Sequence, residues 1–452
     1  YIPFYTEKSG DHYAGLPEIM ANYNTETGLW PESPGYASGM IPTVLDMGLL
    51  LYKSGMNTLA GNPIIEKAAL ANLGWLDARG NLVVFGDMRG GAFNMSAFEA
   101  LLTYSTWTGD TKTAKTMATV IKKNMENGQY DRNGSHWRDI ILNQPLPESG
   151  SELPYHRSAY SKFHRHMILR NGNDEENGLM FTLYGGRQKS HLAENGLAFQ
   201  FYGKGWALAP DASAYESYWS PDAGYHRGIT GSNTIIPGYK SGEITVNAMD
   251  PKTADNGFYN TEVTSELVSF ADVSAEEKRR VVAMVRTSDF NATWDINSVS
   301  PALHVNLWMM GQDNRELYVV DAPPTTLRED ITPKQINKSP ETTPTLIVRQ
   351  NGINGKKHPF VSVFEPYATG EKSIEKITKV GDFGDMVSLK VTSTHSTQVI
   401  CNSIDGNTVY KPAKNLKFKG TLGVASEKNG KFDYLYLGKG KLLQNGKYKI
   451  EA

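Results

Sequence analysis

Half of the ten histidines lie in one short stretch of the chain, which makes that stretch a candidate functional site. They are His156, His164, His166, His191 and His226. Their spacing does not form the His-Glu-x-x-His helix of a zinc enzyme. The sequence also lacks a phosphate-binding P-loop, a dinucleotide-binding glycine turn and a Gly-x-Ser-x-Gly nucleophile elbow. The chemistry of this stretch must therefore come from histidine and its polar neighbours.

Those neighbours form a polar loop between two predicted strands. In order, the strings are GGRQKSHLAENGLAF at 185–199, His226-Arg227, and Ser232-Asn233-Thr234. A lone loop histidine such as His191 is more often a hydrogen-bonded surface residue than a catalyst. Here Arg187, Asn195 and Arg227 accompany it, and such donors bind carboxylates. The loop therefore predicts a site for an anionic ligand.

A second string, TGLWPESPGY at 27–36, leads into a long apolar helix that we expect to begin near Ser38. It places an indole, a carboxylate and a phenol at the helix entrance, from Trp30, Glu32 and Tyr36. A structural interpretation also fits: the prolines shape a turn, Ser38 caps the helix, and both aromatic residues pack into the core. The residues alone leave both interpretations open.

The elements that must position these strings change type along the chain. Helical spacing of apolar residues over 13–127 predicts four or five helices, and residues 128–160 are a Gly-, Pro- and Asn-rich connection. Short alternating runs after residue 160 predict strands, listed here in order: 179–184, 197–202, 243–247, 280–286, 302–309, 317–320, 345–348, 360–364, 386–394, 397–402, 422–425, 432–437 and 447–451. We therefore predict an α+β protein with four parts, at 1–130, 131–160, 161–370 and 371–452.

Composition excludes several classes of function. With 46 basic and 48 acidic side chains the formal charge is −2, so the chain as a whole does not attract nucleic acid or an anionic membrane. No apolar run is long enough for a membrane span. Cys401 is the single cysteine and excludes an intramolecular disulfide. Residues 401–452 carry ten lysines and four acidic residues, a bias we expect to protect sheet edges and solubilise turns rather than bind a ligand.

The layout and three strings together resemble the heparinase II/III-like polysaccharide lyases. The strings are W-x-E-S-P-G-Y at 30–36, G-x-x-x-S-H-x-x-x-N ending at Asn195, and the downstream H-R-x-x-x-x-S-N-T ending at Thr234. The resemblance implies an N-terminal α/α toroid followed by large antiparallel β-sandwich domains. It implies cleavage of a uronic-acid polysaccharide by β-elimination, with alginate, a glycosaminoglycan or ulvan as the substrate class, and a periplasmic or secreted location.

The resemblance also implies roles for residues. Tyr36 matches the family's general acid or base, and His191 resembles its cleft histidine. The other residues that the resemblance implicates would hold the uronate carboxylate or bind sugars. They are Asn195, Arg187, Arg227, Trp30, Glu32, His226 and Arg89. Asp87, beside Arg89, lies where the family's toroid lines the cleft, although a helix cap is the better interpretation of Asp87. Trp30 and Trp219 are either sugar-stacking platforms or core residues.

This sequence departs from the family pattern in two places. The family's second histidine, its aspartate and its later histidine bind a structural metal, whereas Ala193, Asn195 and Ser232 stand here. Asp211 is then the one remaining candidate ligand for zinc or calcium, and the elimination itself requires no cofactor. If the gap is placed differently, His191 matches the metal ligand instead.

The second departure lies upstream of Tyr36. Family toroids have more helices and an Asn-His pair before the tyrosine, so we expect an N-terminal part that is absent from this chain, present as a separate partner chain or removed.

Two other functions remain open. A non-catalytic carbohydrate-binding protein needs the same surfaces without the acid and base. A glycoside hydrolase needs two carboxylates facing one cleft, for which Glu32 and Asp87 are the candidates.

Overall fold

The computed structural model describes seventeen stretches of the chain: residues 10, 14–83, 93–132, 143–148, 150, 158–161, 166–172, 176–184, 197–209, 231–235, 281–285, 289–296, 299–312, 315–322, 343–350, 359–382 and 384–452. Helices come first and antiparallel sheets follow, which confirms the α+β prediction. The chain divides into two compact units, residues 1–280 with 321–343, and residues 281–320 with 344–452. The predicted four-part division remains a prediction.

The helical region has five helices within the described residues, as its spacing predicts. They are α1 (Leu16–Ala21), α2 (Pro34–Lys53), α3 (Ile64–Ala71), α4 (Ser96–Thr108) and α5 (Thr111–Glu126), with a 3-10 turn at Asn72–Trp75 after α3. Helix α2 buries Ile41, Leu45 and Leu49, spaced by four residues, so one face of the helix lies in the core. None of the described helices is both long and apolar enough to cross a membrane.

A buried ion pair holds the chain after α5 against α4. The Arg132 guanidinium donates to both carboxylate oxygens of Glu99, at 2.7 and 2.9 Å, and the Tyr130 hydroxyl donates to the same carboxylate at 3.0 Å. Arg132 also donates to the carbonyl of Gln144 at 2.9 Å. A paired geometry of this kind is directional, so the start of the predicted connection is fixed to the helical region.

A five-stranded antiparallel sheet in the order β1-β2-β3-β4-β5 completes the first core. Its strands are β1 (Ala159–Ser161), β2 (His166–Arg170), β3 (Leu179–Tyr184), β4 (Ala198–Gly203) and β5 (Trp206–Ala209). Ile168, Met180 and Tyr202 lie in one hydrophobic cluster with Leu73 and Trp75 of the 3-10 turn. The sheet and the helical region therefore share a single core.

Arg170, at the end of β2, makes the most direct polar link between sheet and helices. Its Nη2 donates to the carbonyls of Gly74 and Leu76, at 2.6 and 2.5 Å. These carbonyls lie where the 3-10 turn ends and have no partner within the turn. Burial lowers the pKa of Arg170 to about 10, and the nearby Asp77 opposes that shift. Burial raises the pKa of Asp77 to about 6. Each charge therefore reduces the cost of burying the other.

Within the described residues, the second unit contains three sheets. Two have three strands, in the orders β10-β9-β6 and β11-β8-β7, and one has the order β12-β13-β14-β16-β17-β18 with β15 paired to β16. The strands are β6 (Val281–Val285), β7 (Phe290–Ile296), β8 (Leu303–Met309), β9 (Arg315–Ala322), β10 (Thr343–Gln350), β11 (Ser362–Ala368), β12 (Ile374–Asp382), β13 (Met386–Ser393), β14 (Ser396–Ser403), β15 (Tyr410–Ala413), β16 (Leu416–Lys428), β17 (Lys431–Asn445) and β18 (Tyr448–Glu451).

Several strands differ from the sequence prediction. The sequence predicts only short strands at 422–425 and 432–437, but β16 and β17 form one long hairpin around them. Strands β1, β2, β5, β7, β12 and β15 were not predicted. The predicted strand at 243–247 lies outside the described residues.

We predict that Arg170→Met lowers the free energy of unfolding by about 3–5 kcal/mol, because it leaves two turn carbonyls unpaired and Asp77 without its cation. Urea unfolding followed by circular dichroism measures this change. Lys115→Met removes an exposed cation from α5 and should stay within about 0.5 kcal/mol of the parent. Equal effects of the two substitutions would contradict the assigned link.

We also predict a pH dependence that originates at Asp77. Its folded-state pKa of about 6 exceeds the ordinary aspartate value of 3.8, so the folded state binds the proton more tightly. The stabilisation from this proton is complete below about pH 4 and is lost as the pH rises through about 6. Compared with Asp77→Asn, the parent should therefore lose about 2–3 kcal/mol between pH 4 and pH 7. Unfolding both proteins in urea across this range tests it, and a constant difference would rule it out.

Candidate active site

Tyr36 lies in the first turn of α2, because the helix begins at Pro34 rather than near Ser38. Pro34 occupies the first helical position, where a missing N–H has no cost. The Ser38 hydroxyl donates to the carbonyl of Gly35 at 2.8 Å and does not cap the helix. Tyr36 is 42% exposed, so it is not the core residue that the structural interpretation requires. The structure presents a phenol to solvent at a helix N-terminus.

Trp30 and Glu32, which precede Tyr36 in the sequence, are hydrogen-bonded to each other. The indole Nε1 donates to Glu32 Oε2 at 2.6 Å, and the Trp30 ring lies 4.9 Å from the buried ring of Tyr23. Trp30 is half-buried against the core and Glu32 is half-buried as well. The indole therefore fixes the position of the carboxylate.

A tight turn anchored on α3 sets the course of this segment. Asn24 Oδ1 accepts hydrogen bonds from the backbone N–H and the hydroxyl of Thr27, both at 2.8 Å. Gly28 has φ +75°, and a Cβ there would lie 2.5 Å from the carbonyl oxygen of Lys67. The Lys67 Nζ donates to the carbonyl of Thr25 at 2.7 Å. The chain can therefore approach α3 this closely only with glycine at position 28.

Strands β3 and β4 flank the polar loop in the sequence. Tyr184 ends β3 and pairs with Ala198, which begins β4. His166 pairs with Tyr184 across β2 and β3. The His166 ring is 1% exposed and stacks on Trp75, with centroids 4.0 Å apart and planes at 18°. A residue of the helical region thus packs against the end of the sheet from which the loop leaves.

Sequence reasoning missed the contact between His166 and Trp75. His166 belongs to the histidine cluster, but the helical pattern gave no sign that Trp75 would contact it.

The Ser232-Asn233-Thr234 string lies beside the start of β4. The backbone N–H of Phe199 donates to the carbonyl of Asn233 at 2.8 Å, and Asn233 Nδ2 donates to the carbonyl of Ala209 at 3.2 Å. The two strings that the sequence separates by almost forty residues therefore meet at one strand. Among the described residues no three His, Cys, Asp or Glu side chains are grouped as metal ligands.

The other predicted site residues lie outside the described residues. They are Asp87, Arg89, His156, His164, Arg187, His191, Asn195, Asp211, Trp219, His226 and Arg227.

Comparisons with known proteins agree with the resemblance to heparinase-like lyases. Residues 371–452 match the family model of the endo-acting ulvan lyase C-terminal domain. An endo-acting ulvan lyase from Formosa agariphila is 30% identical over 148 residues, which are 31% of this chain and 17% of that protein. A solved heparinase III superposes with a TM-score of 0.50 at 10% identity, over 93% of this chain and 59% of that one. The chain resembles the heparinase-like polysaccharide lyases.

A heparan sulfate lyase from Pedobacter heparinus is a more distant structural neighbour, with a TM-score of 0.47 and 14% identity over 86% of this chain and 61% of that one. The chain thus spans less than two thirds of each of these relatives.

The setting of Tyr36 suits a group that handles protons near negative charge. In a helix the Cα–Cβ bond tilts toward the N-terminus, so the side chain leans toward the end where backbone N–H groups lack partners. The partial positive charge at this end favours negative charge nearby. A substrate carboxylate or a developing anion would be stabilised at the same place.

We predict that Gly28→Ala destabilises the chain by at least about 3 kcal/mol, since it adds a clash with Lys67 to the cost of a left-handed residue. Gly55→Ala is a matched control: Gly55 has φ +89° but nothing lies within 4 Å of its added Cβ. It should cost only about 1–2 kcal/mol. Urea unfolding of both variants measures the difference, and equal losses would show that the contact with α3 is not tight.

Proposed function

We propose that the chain acts as a polysaccharide lyase that cleaves a uronic-acid polysaccharide, of the ulvan class, by β-elimination. The observation that carries the proposal is the exposed phenol of Tyr36 at the start of α2, in a chain that resembles heparinase-like lyases. The match of residues 371–452 to an ulvan lyase domain favours ulvan over alginate or a glycosaminoglycan.

The reaction has three requirements. The C5 carboxylate of the uronate must be neutralised, a base must take the C5 proton, and an acid must protonate O4 as the C4–O4 bond breaks. The electron pair of the C5–H bond then forms the C4–C5 double bond. We assign Tyr36 as the acid and, for a proton on the same face, also as the base. His191 is the base for a proton on the opposite face, or a partner of the carboxylate.

Substrate binding falls to the polar loop and its neighbours. Arg187, Asn195 and Arg227 would hold the uronate carboxylate through hydrogen bonds that strengthen as charge develops on it. Further contacts to sugars are assigned to Trp30, Glu32, Arg89 and His226. The elimination proposed here requires no cofactor, and a structural zinc or calcium ion with Asp211 as a ligand is a separate part of the proposal.

The finer architecture and the location belong to the same proposal. The five helices would form part of an α/α toroid, and strands within 161–370 would form a β-sandwich. An enzyme that degrades an extracellular polymer must meet it outside the cytoplasm, so we infer a periplasmic or secreted location.

We predict that Tyr36→Phe lowers kcat on ulvan by about 10²–10⁴-fold, because it removes the proton that O4 receives. The assay follows near-ultraviolet absorbance of the unsaturated uronate. Tyr160→Phe alters another exposed phenol, on β1, and should leave the rate unchanged. His191→Ala should lose activity to a similar degree.

Two outcomes would contradict this assignment. Cleavage without the absorbing product would indicate hydrolysis, and binding to ulvan with no product at all would indicate a carbohydrate-binding protein.

A further inference from the structure

A pair of exposed tyrosines lies on one face of the large sheet in the second unit. The strand register places Gln398, Ser426 and Tyr434 in one cross-strand row. The next row contains Ile400, Val424 and Tyr436. Residues directly opposite each other in antiparallel strands lie on the same face. We call this surface, formed by the six residues of the two rows, the tyrosine strip.

The two tyrosines of the strip are exposed, whereas Ser426 beside them is buried and part of the same face is covered by other residues. The second row of the strip continues through Ile400 to Leu389 of β13. Leu389 is buried in a cluster with Ile377, against which Trp308 and Val363 pack. In contrast, Tyr434 is 40% exposed and Tyr436 is 51% exposed. The apolar face therefore runs from a closed core to a surface that aromatic rings present to solvent.

Neighbouring residues hold the two rings in place. Gln398 Nε2 donates to the Tyr434 hydroxyl at 3.1 Å. Beside Tyr436 lies Gly438, where an added Cβ would be 3.1 Å from the ring. Two other exposed rings of this sheet are less accessible. Phe432 and Tyr448 stack on each other with centroids 3.6 Å apart, so each ring covers one face of the other. A fixed ring loses less entropy when a ligand stacks on it.

Lysines flank the strip at both ends. The row beyond Ser426 contains Lys428, and the row beyond Val424 contains Lys439 opposite Leu422. Both lysines are exposed: Lys428 is the last residue of β16 before the turn at 429–430, and Lys439 lies on β17 before the residues 442–445 that pair with β18. From Leu422 to Lys428 the surface is about 20 Å long, at about 3.3 Å per residue. That length suits a run of several sugar rings.

One carboxylate adjoins the strip. Asp433, at a bulge in β17, accepts a hydrogen bond from the Ser426 hydroxyl at 3.1 Å. Its remaining oxygen is suited to a sugar hydroxyl, which donates hydrogen bonds to carboxylates.

We propose that the tyrosine strip is a second binding surface for the anionic polysaccharide and contains no residue of the proposed catalytic set. The faces of Tyr434 and Tyr436 would stack on the apolar faces of pyranose rings. Lys428 and Lys439 would pair with carboxylate or sulfate groups, and the Gln398 amide would bond to hydroxyls. The charge of the flanking lysines favours a polyanion over a neutral glycan. The identity of that polyanion rests on the proposed function.

Binding is tested with the full chain carrying Tyr36→Phe, so that polymer is not consumed. Retardation in native gels that contain ulvan gives an apparent Kd. We expect Tyr434→Ala with Tyr436→Ala to raise this Kd at least about tenfold. The double Phe variant keeps the rings and should bind within about threefold of the parent. Thermal unfolding of each variant, with Tm unchanged, verifies that the sheet is intact.

Charge is tested in the same assay. Lys428→Ala with Lys439→Ala should weaken binding and reduce its salt dependence. Lys411→Ala with Lys414→Ala removes the same charge from exposed positions outside the strip and should have no effect. Gels that contain neutral dextran should not retard the chain. Unchanged ulvan binding in the alanine double variants, or equal retardation by dextran, would overturn the proposal.

A lyase assay separates this inference from the proposed function. Binding that depends on the strip, in a chain with Tyr36 that yields no unsaturated product, would support the strip and reject the lyase. Product formation together with strip variants that bind normally would reject the strip and leave the lyase intact.

Discussion

The first unit depends on how strand β2 is fixed to the 3-10 turn after α3. Arg170 bonds two carbonyls at the end of that turn, and His166, four residues earlier on the same strand, stacks on Trp75 of the turn. Between them Ile168 packs over Gly74, where an added Cβ would lie 3.5 Å from its Cδ1. The strand is thus held along its whole length. Neither unpaired carbonyls nor a buried guanidinium would be stable alone, and each satisfies the other.

This arrangement determines what the site can be. The loop of the histidine string begins and ends on strands β3 and β4, which are paired in register from β2. Tyr36 lies on a helix whose buried face belongs to the same core. Tyr36 and the two strands that flank the loop in the sequence therefore belong to one packed body, and groups that act together on one sugar need such a common support.

Local patterns predicted those parts of the fold whose cause is local. The run at 179–184 matches β3, in which every second residue, namely Met180, Thr182 and Tyr184, is buried. The start of α2 was placed four residues late, since Ser38 is a good cap by type, whereas Pro34 sets the true first position. The packing of His166 could not be predicted, because its partner Trp75 is ninety-one residues earlier in the chain. The roles proposed for residues 185–196 rest on the sequence alone.

In the long hairpin of β16 and β17, two glycines do not mark the ends of the strands. Gly420 and Gly440 are opposite each other, and a Cβ on Gly420 would lie 2.7 Å from the Cα of Gly440. The glycines therefore permit close approach within a continuing, bulged pair rather than ending it. Lysines on these strands were assigned to edges and turns from composition, and the pairing also places Lys428 and Lys439 on the face of the tyrosine strip. If both this face and the first unit contact one polymer, the second contact becomes intramolecular, and weak binding at each is enough to retain the chain.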